Sequence, residues 1–152
     1  MKLISHRGNI NGRDPERENS PDYILEALNS YEVEIDVWLI NDKWYLGHDK
    51  PQYEIDKDFI RWKKHGLWCH AKNIDALYEL SDKNEGFTNH KYFWHQEDDV
   101  TITSTGYLWT FPGKQLTPKS ICVLPENVNY SDEELKNCYG ICSDFIEKYK
   151  SF

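Results

Sequence analysis

Glu34 and Asp36 stand two residues apart in an otherwise apolar run, VEIDVWLI over 33–40. Residues two apart on an extended strand share one face. The two carboxylates therefore lie side by side, while Val33, Ile35 and Val37 turn toward a packing layer. Such a pair repels unless a cation sits between its members, and a hard divalent ion such as Mg2+ or Ca2+ is the usual remedy. The plainer alternative is a solvent-facing edge strand carrying ordinary charges. Other apolar runs end in ionisable residues: SHRG places His6 and Arg7, GHDKP places His48 and Asp49, and CHAKN places His70 and Lys72. In parallel α/β sheets and barrels the carboxyl ends of the strands gather at one mouth. A lone histidine is more often structural than catalytic. Three at equivalent strand ends, with two acids and a lysine, are harder to explain that way.

Phosphoryl-ester cleavage suits this set. A metal ion polarises phosphoryl oxygens and activates an oxygen nucleophile. The planar fork of Arg7 can hold a phosphate, and Lys72 can add a point charge. Imidazoles titrate near neutrality, so His6 and His48 can serve as acid and base on opposite sides of phosphorus.

Presenting these residues requires strands that end together. Strand-like runs, rich in aromatic and β-branched residues, occur at Lys2–Ser5, Val33–Leu39, Lys43–Leu46, Leu67–His70, Lys91–His95, Thr101–Trp109, Ser120–Leu124 and Tyr139–Ser143. Helix signals lie between several of them. SPDYILEALNSY opens with Ser20 and Pro21, DKDFIRWKKHG has early acids and late bases, and NIDALYELSDK follows CHAKN. SDEELKNC begins with a capping box, Ser131 to Glu134. The alternation predicts an α/β fold with a mainly parallel sheet. The loop from Asn9 to Asn19 is long and polar, as loops that build sites often are.

Composition narrows the partners. At 152 residues, with six Trp, ten Tyr and six Phe, the chain reads as one domain with a real core. Its net charge is −8 and its cations are scattered, which disfavours a nucleic-acid surface. No apolar run approaches the ~20 residues of a membrane span. No export signal is apparent, so a cytoplasmic setting with reduced thiols is the expectation for Cys69, Cys122, Cys138 and Cys142. WHQEDD, with His95, reads as an acidic turn more readily than as a second metal cluster. His65 and His90 read as surface residues of turns. Trp94, Tyr107 and Trp109 read either as a wall for a substrate headgroup or, more simply, as core.

HRG, then ENS before a helix, then EIDVWLINDKWYLGHD together resemble the glycerophosphodiester phosphodiesterase family over residues 3–50. Its pattern is HRG, ENT before a helix, E-x-D in the second strand, and HD after a short turn. The resemblance implies a TIM-type (β/α) barrel with its site at the carboxyl ends of the strands. It implies that His6 and His48 are the acid/base pair, that Glu34 and Asp36 hold the metal, and that Arg7 contacts phosphate. Glu18 and Asn19 fall on the ENT positions and Asp49 on the HD aspartate, as supporting residues. The implied substrate is a small phosphodiester, as in lipid metabolism. In many family members a hydroxyl of the substrate attacks phosphorus first. The implied cofactor is Mg2+ or Ca2+, with Mn2+ a further candidate.

Two departures from the pattern matter. The family's third strand reads E-x-K, but this chain has His70-Ala71-Lys72, so His70 either ligates the metal in place of the glutamate or touches the phosphate. The chain is also short for a (β/α)8 barrel. GYLWTFPG and YGICSDFI, the latter reaching Asp144, are similar to late family strands. The expectation is a trimmed barrel with fewer or shortened βα units, whose exposed strands a second copy of the chain could cover. A catalytically inactive relative that binds a phosphorylated ligand is the alternative reading.

Overall fold

The computed structural model describes residues 1–152. In chain order its elements are β1 (Lys2–His6), α1 (Pro21–Leu28), β2 (Glu32–Ile40), β3 (Lys43–Leu46), β4 (Tyr53–Ile55), α2 (Lys57–Trp62), β5 (Leu67–Ala71), α3 (Ile74–Ser81), β6 (Lys91–Phe93), β7 (Val100–Ile102), β8 (Leu108–Thr110), β9 (Ser120–Val123), α4 (Asp132–Lys136) and β10 (Gly140–Ser143). The architecture is α/β, as the alternation predicts. All the strands join one sheet, whose parallel part runs β6-β5-β2-β1-β10-β9-β8. The first residues of β2 pair with β1, and its last pair antiparallel with β3. Asn41 and Asp42 make the tight turn between β2 and β3 by adopting left-handed φ angles of 50° and 62°.

The sheet curls. β6 and β8 lie at opposite ends of the parallel part, yet the rings of Phe93 and Trp109 stack with centroids 4.3 Å apart. Ser104 ties these ends together. Its backbone N–H donates to the Tyr92 carbonyl at 2.8 Å, and its hydroxyl donates to the His90 carbonyl at 2.8 Å. Ile4, Trp68, Phe93, Trp109, Ile121 and Cys142 fill the inside of the curl. On the outside, Val33, Ile35 and Val37 pack with Ile24 of α1 and Ala76 and Leu80 of α3. The alternation along β2 thus sends its apolar set outward under the helices and Glu34 and Asp36 inward.

Local signals hold at most helix starts. Ser131 and Glu134 form the full capping box of α4, and Asp56 and Asn73 cap α2 and α3. Ser20 precedes α1 in extended conformation but makes no capping bond. The run Thr101–Trp109 is not one strand: Gly106, at φ 83°, breaks it into the antiparallel pair β7 and β8. β4 was absent from the expected strands, being only three residues long. His90 is buried rather than on the surface, with its ring edge-on to Phe87. Tyr107 stacks on Tyr139 at the amino ends of the strands, and Trp94 packs on the outer core. All four cysteines are buried and unpaired. No helix is long and apolar enough to cross a membrane.

Glu32 secures the amino ends of the strands. Its carboxylate accepts from Lys2 Nζ at 2.7 Å, Lys91 Nζ at 2.6 Å and Trp68 Nε1 at 2.7 Å, joining β1, β5 and β6 to β2. Burial by itself would raise the Glu32 pKa, but Lys2 and Lys91 overcome that and hold the carboxyl below its usual range. Lys91 shows the opposite balance: burial lowers its pKa despite the same pairing. A carboxyl depressed in the folded state adds stability above its unfolded pKa of ~4.3, and that stability is lost as pH falls through the lower folded value. Glu32→Gln is expected to cost about 1.5–3 kcal/mol at pH 7. The deficit should shrink as pH falls below ~4, which urea unfolding of both proteins across that range will measure.

Candidate functional site

Register brings the site together. Parallel pairing sets His6 beside Glu34 across β1 and β2, and Asp36 beside His70 across β2 and β5. His6, Arg7, Glu34, His48, His70 and Lys72 all line one cavity of about 430 Å³. Asp36 lies against them, fully buried. Glu18 and Asn19 are buried around Arg7. Asp49 is largely in solvent, and its Oδ1 lies 2.6 Å from His48 Nδ1.

Asp36 is the most heavily contacted of these groups. Asn19 Nδ2 donates to its Oδ2 at 2.9 Å, and the Asp36 backbone N–H donates back to Asn19 Oδ1 at 3.0 Å. Arg7 Nε lies 2.9 Å from Oδ2, His70 Nδ1 3.1 Å from Oδ1, and Lys72 Nζ 3.6 Å from Oδ1. Burial would raise the Asp36 pKa, but His70, Arg7 and Lys72 hold it well below the ordinary carboxylate range. Glu34 has fewer partners. Burial and the adjacent Asp36 charge push its pKa up. The two carboxyls are thus driven apart by their surroundings.

His70 is oriented by the strand beside it. Its Nε2 is 2.8 Å from the His95 carbonyl, which can only accept, so Nε2 carries the hydrogen. Nδ1 then faces Asp36 Oδ1 and, at 3.8 Å, Glu34 Oε1. Glu34 Oε2 and Asp36 Oδ1 are buried with no aligned hydrogen-bond donor. One ligand atom from each of Glu34, Asp36 and His70 falls within 4.8 Å of the others. Ligands of a common ion lie within ~5 Å of one another, so these three residues could share a metal ion. The carbonyl behind His70 would orient it as a ligand.

The two other histidines are each oriented by a carboxylate. His6 Nδ1 bonds Asp144 Oδ1 at 2.7 Å, leaving Nε2 3.8 Å from Glu34 Oε2. Burial acts to lower the His6 pKa, but the bond to Asp144 and the charge of Glu34 raise it above its usual value. His48 is shifted the other way, by burial and by the charge of Arg7. Gly47 delivers His48 through a backbone at φ 146°, where an added Cβ would lie 2.2 Å from the Lys50 carbonyl oxygen. The Gly47 N–H donates to the Asp36 carbonyl at 3.1 Å, so β2 itself anchors the turn.

Asp144 and Asn9 were not among the expected site residues. Asn9 Nδ2 reaches both Asp144 at 2.8 Å and Glu18 at 3.0 Å. The end of the final strand at Asp144 was visible in the sequence, and Asn9 opens the long polar loop marked there as site-building, although nothing singled out its side chain. His95 lines the cavity together with Trp109, Phe111 and Leu124, of which Phe111 and Leu124 carried no sequence signal. Neither the carboxylates of WHQEDD nor the cysteines group into a second metal cluster.

Divalent metal is expected to stabilise the protein by about 2.7 kcal/mol at a hundred times its dissociation constant. For a chain of this size that is a rise in Tm of about 5–10 °C, readable by calorimetry with and without chelator. Metal must displace the proton that burial favours on Glu34, so affinity should rise with pH. Glu34→Gln should remove most of the Tm shift and that pH dependence.

No family model matches this chain, and no curated protein or solved structure matches it either.

Proposed function

We propose that this chain is a metal-dependent phosphodiester hydrolase of the glycerophosphodiester phosphodiesterase type, built on a trimmed TIM-type (β/α) barrel. The observation that carries this reading is the convergence of His6, His48, Arg7, Lys72 and the Glu34–Asp36–His70 cluster on one cavity at the carboxyl ends of parallel strands. The order of the parallel strands follows the chain from β1 through β2 and β5 to β6, and from β8 through β9 and β10 back to β1. That order is the one a (β/α) barrel uses, with helices missing on the later side.

Glu34, Asp36 and His70 would hold Mg2+, Ca2+ or Mn2+, which supplies charge to polarise the phosphoryl oxygens. Arg7 and Lys72 offset the remaining negative charge of the diester from the cavity wall. His6 and His48 act as the acid/base pair. One takes the proton of the attacking hydroxyl as the new P–O bond forms, and the other gives a proton to the departing alcohol as the old P–O bond breaks. Asp144 and Asp49 each hold one ring nitrogen, so that the other faces the reaction. The two imidazoles are shifted in opposite directions, His6 up and His48 down, as an acid/base pair requires. The substrate is a small phosphodiester.

Hydrolysis of glycerophosphocholine and of a chromogenic diester should require added divalent metal and stop with chelator. His6→Ala and His48→Ala should each lose at least ~100-fold in rate. Asp144→Asn removes an influence that raises the His6 pKa, so the limb of the pH–rate profile belonging to His6 should move to lower pH. Absence of turnover with any of the three metals, from folded protein that still binds phosphate, would favour the inactive binding relative.

A further inference from the structure

The cavity has two unlike walls. The charged wall holds His6, Arg7, Glu34, His48, His70 and Lys72. The other wall is formed by the end of β8 and the turn after β9, where Trp109, Phe111, Pro112 and Leu124 line the same space beside the uncharged Gln96 and Asn127, with no Lys, Arg, Asp or Glu among them. Phe111 is 46% exposed, although its backbone N–H is fixed on the Asp99 carbonyl at 2.9 Å. A held aromatic left open beside a buried ionic cluster is a surface prepared for something apolar.

Leu124 adds an independent observation. It sits in the left-handed region at φ 45°, ψ 54°, directly before Pro125. That region is strained for a bulky residue, and a residue preceding proline normally prefers extended backbone. Its N–H bonds the Cys142 carbonyl at 2.7 Å and its own carbonyl accepts from Asn127 at 3.0 Å, so the conformation is imposed from both sides. Glycine or asparagine would adopt it at less cost, but neither would bring an isobutyl group to the cavity. Strain of this kind collects at ligand clamps.

We propose that this wall is a subsite for an apolar alcohol of the substrate, an alkyl or aryl group seated on Phe111, Pro112 and Leu124 while the phosphate meets Arg7 and Lys72. The inference rests on the phosphodiesterase reading for its anionic end. Gln96 and Asn127, which also line the cavity, are the groups a glycerol or sugar hydroxyl would use, and the comparison with glycerol 3-phosphate tests that occupant. A quaternary ammonium favours several aromatic faces. Here Trp109 is 4% exposed with its ring stacked on Phe93, which leaves Phe111 as the open face.

Calorimetric titration of the metal-loaded protein with phosphate monoesters separates the two ideas. Hexyl phosphate and phenyl phosphate should bind at least ~10-fold more tightly than glycerol 3-phosphate, since burying two methylenes suffices for that ratio. The stronger of the two tells a chain from a ring. Phe111→Ser and Leu124→Asn should each lower the ratio of hexyl phosphate to inorganic phosphate affinity by ~5-fold. Leu124→Asn suits the left-handed backbone, which offsets the apolar packing it removes from the core beside it, and binding of inorganic phosphate with unchanged affinity will show that the variant is folded. Equal affinity for hexyl phosphate and glycerol 3-phosphate, a preference for phosphocholine, or a ratio unmoved by both variants would overturn the subsite. Failure of every phosphate compound, inorganic phosphate included, would overturn the phosphodiesterase reading and the subsite with it.

Discussion

Burial of the ionised Asp36 carboxylate is the constraint around which this structure is arranged. A charge taken out of water costs several kcal/mol unless it is paired and hydrogen-bonded. Asp36 is 0% exposed and has Arg7, Asn19, His70 and Lys72 around it. Those residues come from the end of β1, the long first loop and the end of β5. Compensating one carboxylate therefore ties three segments into a single cluster. Removing any partner would leave charge exposed to a low dielectric, so the segments hold one another in place.

The compensation has a backbone consequence. Arg7 and Asn19 both adopt left-handed φ angles, 56° and 61°, which are unfavourable for residues with a Cβ. They are linked to each other and to β2: the Asn19 N–H donates to the Arg7 carbonyl, and the Arg7 N–H donates to the Glu34 carbonyl, both at 3.0 Å. The strain turns the guanidinium of Arg7 and the amide of Asn19 toward Asp36. Positive charge is thereby concentrated in a protein whose formal charge is −8. Glu34 has fewer partners beside it, and with Asp36 and His70 it offers three ligand atoms within 4.8 Å of one another.

Much of this was legible because it follows short-range rules. The two-residue period along β2 put Glu34 and Asp36 on one face and Val33, Ile35 and Val37 on the other, whatever the rest of the fold. The gap between the runs Val33–Leu39 and Lys43–Leu46 left room only for a short turn, which Asn41 and Asp42 make. Ser131 and Glu134 announced the start of α4. Thr101–Trp109 was misread as one strand because its β-prone composition masks the turn at Gly106. His90 was misread because a histidine beside Asn89 in a turn looks exposed, and only the packing of Phe87 and the Ile60 carbonyl around it makes it core.

The sequence by itself determined which residues are ionisable and that strands would carry several of them at their carboxyl ends. Residue type and strand periodicity are local properties, and they need no knowledge of neighbours. The tertiary structure decided who meets whom. Asp144 lies 138 residues from His6 and reaches it only because β10 pairs with β1. His70 presents Nδ1 to the carboxylates because the His95 carbonyl, at the end of the next strand, claims Nε2. Leu124 faces the cavity because bonds on both sides hold it in a conformation its own side chain disfavours. Each of these depends on parallel pairing between distant segments, and that pairing is set by how the whole sheet curls, which no single stretch of the chain encodes.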